Sequence, residues 1–102
     1  MRIEWGERKD HLNQRKHGIS FELASLVFDD PKLLITLDRV DEDGEQRWHA
    51  LGTAQIGPAR PIIALVVHVY REDRYGEEII RIISARPAEK RDIRRYKAQE
   101  VD

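Results

Sequence analysis

The sequence predicts an α+β fold: an antiparallel β-sheet meander, two N-terminal helices packed on one of its faces, and a basic C-terminal helix. Three observations carry this. Apolar residues recur at helical spacing up to Pro31 and at sheet spacing from Leu33 onward. The later apolar runs are joined by short polar loops, as in strands that pair in succession. After Pro87 the chain turns strongly basic and loses its β-branched residues, apart from Ile93 and Val101.

Each element has a local reason. Arg2-Ile3-Glu4-Trp5 alternates polar and apolar, which suits a short edge strand. Glu7 to His17 is polar and helix-tolerant, with Leu12 its main apolar member and Gly18 placed as a stop. Ser20 is positioned to cap a second helix, although Leu23 stands where a capping box prefers Glu or Gln. Phe21, Ala24, Leu26, Val27 and Phe28 give that helix an apolar face, ended by Asp29-Asp30-Pro31. Leu33–Leu37 is the next predicted strand, with Asp38–Gly44 an acidic loop and Gln46–Thr53 the strand after it. Gly57-Pro58 and Pro61 mark a turn before Ile62–Tyr70, the most apolar run and the expected centre of the sheet. Asp73–Gly76 is a hairpin loop, and Ile79–Ala85 returns from it. Pro87 fits the first position of the last helix, which would put Glu89 in its positive first turn.

At 102 residues the chain is expected to form one domain, 1–102, with one modest core. It has 40% hydrophobic and 36% charged residues and no cysteine, which removes disulfides and thiolate metal sites. No apolar leader or membrane-length run is present, so a soluble, cytoplasmic protein without membrane contact is expected. The formal net charge is only −1, but its distribution is uneven. Residues 22–46 hold eight acids and two bases, and residues 86–97 hold six bases and two acids. The basic end can attract phosphate or an acidic partner despite the neutral total. A solvated helix face with internal ion pairs explains it equally well.

No Gly-rich phosphate loop, GxSxG elbow or HExxH helix is present. Asp38, Asp41, Glu42, Asp43 and Glu45 form an acidic run, but it lacks the full calcium-loop pattern. His11, His17, His49 and His68 have no ligand spacing. No metal or cofactor is therefore expected. Strand period places Glu45, Arg47 and His49 on one face. In a regular strand Arg81 and Arg86 point to opposite faces, and only a bulge or the strand exit would reunite them.

Arg81-Ile82-Ile83-Ser84-Ala85-Arg86, with Ala88, Arg91 and Tyr96, resembles the C-terminal signature of BrnT-type toxins. Lys16–Glu22 with Ala24, Val27–Pro31, and Glu45–Trp48 with Gly52 also match, in the family's order along nearly the whole chain. The resemblance implies a small RelE-like ribonuclease, silenced by a neighbouring antitoxin that carries a DNA-binding domain. Operator DNA would then be reached only through that antitoxin, in a hetero-oligomer. Arg81 and Arg86 are expected to stabilise the phosphate, Arg47 to position it, and Glu45 or His49 to take the proton; the resemblance carries all of these positions except His49. Tyr96 donates a hydrogen bond or stacks on a base, while Lys16, His17, His49, Arg91, Arg94 and Arg95 bind RNA. The expected reaction is metal-independent RNA cleavage that inhibits translation. A structural salt bridge or packing role remains open for each residue. Two other functions also stay open: a non-catalytic module docking an acidic partner, and a structural RNA-binding domain.

Overall fold

The computed structural model describes residues 1–99, in the order β1 (Arg2–Glu4), α1 (Glu7–His17), α2 (Phe21–Ser25), a 3₁₀ turn (Leu26–Asp29), β2 (Leu34–Val40), β3 (Gln46–Ala54), β4 (Ile62–Glu72), β5 (Glu78–Pro87) and α3 (Lys90–Ala98). The five strands lie in the order β1-β5-β4-β3-β2, so the apolar β4 occupies the centre. From β2 to β5, neighbours in sequence pair antiparallel, but β1 runs parallel to β5. The sheet is therefore mixed, which corrects the expected all-antiparallel meander. The long excursion from β1 to β5 returns the chain beside its own start, where the three residues of β1 cover only Ile79–Arg81.

Three local boundaries also differ from expectation. Asp38–Val40 continue β2 instead of opening the loop, and Asp38 is the extra residue of a bulge between Leu37 and Arg39. Pro87 ends β5 and does not start α3. The Ala88 N–H donates to the Ile63 carbonyl at 2.8 Å, which holds the chain to the sheet one residue longer. Glu89 becomes the N-cap, with its N–H donating to the Asp92 carboxylate at 3.0 Å. The second helix is a single α-turn capped by Ser20, which tightens into the 3₁₀ turn.

The core lies between one sheet face and the segment formed by Ile19, α2 and the 3₁₀ turn. Ile19, Phe21, Ala24 and Val27 pack there on Ala50, Ala64, Val66, Ile82 and Ala85. Small residues let the 3₁₀ turn approach β3 closely. A Cβ added at Gly52 would meet the Val27 carbonyl oxygen at 3.0 Å and Asp30 Oδ2 at 3.3 Å. Side chains finish two strand edges that no strand covers. Beyond β1, buried Asn13 brackets Ala85, accepting from its N–H at 3.0 Å and donating to its carbonyl at 2.8 Å. Beyond the last β2–β3 pair, Leu34 with Leu51, Asp30 Oδ2 accepts the Thr53 N–H at 2.8 Å. Both meet the requirement that a covered backbone group find a partner.

Candidate active site

The second sheet face decides where chemistry can occur. Residues directly opposite across a ladder share a face, so the register reads out its contents. Leu34, Leu51, Leu65 and Arg86 form one row across it, and Tyr96 of α3 packs on Leu51 and Leu65. The next row is Thr36, His49, Val67 and Ser84. Beyond it stand Arg39, Arg47, Val69, Arg81 and Glu4; Arg47 and Val69 flank the Trp48–His68 pair and so turn to this face. Helix α3 covers the first row and leaves the other two without a helix above them.

A bulge in β5 makes this arrangement possible. Val67 pairs with Ser84 but His68 pairs with Ile82, which leaves Ile83 without an opposite residue. The extra residue reverses the alternation, so Arg81 and Arg86 share a face although they lie an odd five positions apart. Ile82 and Ala85 can then both enter the core on the other side. Strand spacing puts the Arg47 and Arg81 backbones about 10 Å apart, with Val69 as a floor between them. His49 and Ser84 stand at a similar separation around Val67.

The charges on this face are countered but accessible. Arg39 and Arg47 stand directly opposite one another, a repulsive pair that Asp41 bridges at 3.4 and 2.7 Å. Glu45 lies 3.5 Å from Arg71, and Arg81 lies 3.4 Å from the half-exposed Glu4. Each guanidinium carries five donors, so one carboxylate contact leaves others for a ligand. His49 Nε2 is 3.5 Å from the Asp38 carboxylate, which the β2 bulge turns toward it. The acidic run predicted as a loop thus supplies counter-charges to Arg39, Arg47, Arg71 and His49.

Arg86 and Tyr96 have different surroundings. Arg86 Nη1 is 3.0 Å from Asp92, whose side chain is only 3% exposed, and also contacts Glu89 and the Pro87 carbonyl. Burial opposes the Asp92 charge, but the Glu89 N–H and Arg86 outweigh it and hold the carboxyl below its usual range. The Tyr96 hydroxyl donates to Asp30 and accepts from Thr53 Oγ1 at 3.1 Å. Burial, then the Asp30 charge, raises the phenol's pKa, so it persists as a donor. Burial likewise opposes the Asp30 charge, but hydrogen bonds from Tyr96, Thr53 and Lys32 depress its pKa. Both predicted catalytic residues are thus engaged in fixing α3 to the sheet.

The predicted RNA-binding residues divide into two groups. Lys16 and His17 end α1 beside Ile83 and Ser84, at the rim of the open face. Arg91, Arg94 and Arg95 are exposed on α3, turned away from the Tyr96 side that meets the sheet. Sequence reasoning missed Asp38, Asn13, Asp30 and Asp92. The spacing of Asp92 three residues after Glu89 was the one available signal, a capping box with acids at both ends.

No helix among the described residues is long and apolar enough to cross a membrane. No individually curated protein matches the sequence. A family model described as the ribonuclease toxin BrnT of type II toxin–antitoxin systems matches residues 5–92, which include both arginine strands and the first turn of α3. The chain therefore belongs to the BrnT family of ribonuclease toxins, which implies an RNA substrate and an antitoxin partner.

Proposed function

We propose that the protein is a cytoplasmic, single-domain, RelE-like endoribonuclease that cuts RNA without a metal and so inhibits translation. The observation that carries this reading is the β5 bulge, which sets Arg81 on the same open face as Arg47 and His49. The RNA supplies its own nucleophile. The 2′-oxygen attacks the adjacent phosphorus as its proton passes to His49, whose imidazole Asp38 orients. Glu45 is the alternative acceptor, from the same side of β3. Arg47 and Arg81 gain most from the phosphorane, where negative charge concentrates between them. The P–O5′ bond breaks as the leaving oxygen takes a proton, giving a 2′,3′-cyclic phosphate and a 5′-hydroxyl. An imidazole can return the proton it has taken, so His49 can serve both steps.

Arg86 and Tyr96 are assigned to positioning: they hold α3 at the border of the site. Arg91, Arg94 and Arg95 present a cationic surface to RNA or to an acidic segment of the antitoxin. The antitoxin carries the DNA-binding domain, and the hetero-oligomer reaches operator DNA through it. A test is to incubate purified protein with RNA in excess EDTA and identify the new ends. Cyclic phosphate and 5′-hydroxyl ends are expected. Cleavage abolished by EDTA and restored by Mg²⁺ would overturn the metal-independent mechanism.

A further inference from the structure

The β5 bulge has a second effect, at the sheet's edge. β1 stops pairing at Arg81, so beyond it α1 runs alongside β5 and leaves a groove of about 290 Å³. Its walls are Lys9, Leu12, Asn13 and Lys16 of α1 and, opposite them, the unpaired bulge residue Ile83. These helix positions are spaced i, i+3, i+4 and i+7, so they form one stripe. Asn13 fixes the stripe toward the strand by its two hydrogen bonds to Ala85. Ser84 lines the groove and also stands on the open face beside Val67, so the two surfaces meet there.

The chemistry of the groove is specific in kind. Lys9 and Lys16 are exposed and make no ion pair among the described residues. The neighbouring Asp10 turns away to accept the Phe21 N–H at 2.8 Å. The helix dipole explains a lysine in the last turn, but not Lys9 in the first. Between the two cations Leu12 is half-exposed, facing the half-buried Ile83. An apolar surface between two ammonium groups suits a base flanked by phosphates. We infer that this groove is a subsite for single-stranded RNA, which carries the nucleotides flanking the scissile bond off the open face and over the β5 edge. The identity of the ligand rests on the ribonuclease reading.

The test separates the two claims. Anisotropy titrations use a fluorescent 12-nucleotide 2′-O-methyl RNA, which cannot be cut, and a trinucleotide that spans only the open face. The Lys9→Ala/Lys16→Ala variant should bind the 12-mer about tenfold more weakly, with a salt slope shallower by about 1.4 for two lost phosphate contacts. Its trinucleotide affinity should fall by much less than its 12-mer affinity. With cleavable RNA of the longer length, KM should rise in the variant while kcat is kept. A 12-mer affinity and salt slope equal to wild type would overturn the groove assignment, as would a wild-type protein that does not bind the 12-mer. Wild-type protein that binds the 12-mer but cuts no RNA would overturn the ribonuclease reading and leave the binding comparison to decide the groove.

Discussion

Arg81 and Arg86 lie on one strand and one face, yet the carboxylates that pair with them sit in different surroundings. The Arg81 side chain is 29% exposed, with a Glu4 partner 37% exposed, on the part of the face that no helix covers. The Arg86 side chain is 26% exposed, but its Asp92 partner is only 3% exposed, beneath the start of a helix. Exposure of the arginine alone does not separate them; burial of the partner does. A guanidinium whose carboxylate faces solvent can exchange that contact for a phosphate at little cost. One whose carboxylate is buried and also caps a helix cannot leave without stranding a charge. The contrast supports reading the α3-covered end as a support and the uncovered end as the proposed site.

The largest expected effect lies at the support. Arg86→Ala should lower stability by about 3–5 kcal/mol, because Asp92 is left buried and unpaired. Chemical denaturation of the single variant and of the Arg86→Ala/Asp92→Ala pair checks this, and the pair should regain part of the loss. An Arg86→Ala protein as stable as wild type would erase the distinction between the two arginines.

The next effect concerns the other side of the sheet. His68 is fully buried between Phe28 and Tyr70, and neither ring nitrogen has a hydrogen-bond partner among the described residues. Burial pushes its pKa down to about 4. The unfolded chain therefore binds the extra proton first as pH falls. Stability should be unaffected by this group above about 6.5 and should decline between there and about 4, by a total of about 3 kcal/mol. His68→Phe should remove that slope. The depressed carboxyls of Asp30 and Asp92 add their own loss only at still lower pH. Denaturation midpoints at pH 7 and pH 4.5 measure both proteins, and an unchanged slope in His68→Phe would contradict the assignment.

Tyr96→Phe should have a smaller effect, about 1–2 kcal/mol, since it removes one donor from Asp30 and keeps the ring on Leu51 and Leu65. If Tyr96 positions α3 and takes no part in proton transfer, kcat should fall by no more than the loss of folded protein explains. A large drop in kcat at full folding would return Tyr96 to the catalytic set. Replacing exposed Arg94 or Arg95 by Ala should change stability least, by about 0.5 kcal/mol or less.

These contrasts also mark what the sequence could reveal. Strands β3 to β5 and the polar helix α1 were legible because their periodicity and stop residues act locally, Gly18 being one example, with its φ of 73°. Helical spacing alone is enough to separate the buried Tyr96 from the exposed Arg91, Arg94 and Arg95. The face shared by Arg81 and Arg86 was not legible. A bulge at Ile83 is set by what packs on both sides of the strand, and the residues Ile82-Ile83-Ser84 carry no local sign of it. The parallel pairing of β1 escaped for a related reason, since a three-residue strand does not encode its partner. Asn13 and Asp30 were hidden because their roles are to stand in for absent strand neighbours, which only the assembled sheet defines.

The most direct test of the account is Arg81→Ala, measured for RNA cleavage and for thermal stability on the same preparation. Loss of a contact that strengthens in the transition state should lower the cleavage rate about 10²–10³-fold. Stability should change by no more than about 1 kcal/mol, as for an exposed ion pair. Cleavage at the wild-type rate, or activity lost only in proportion to unfolding, would contradict the placement of the site on the open face.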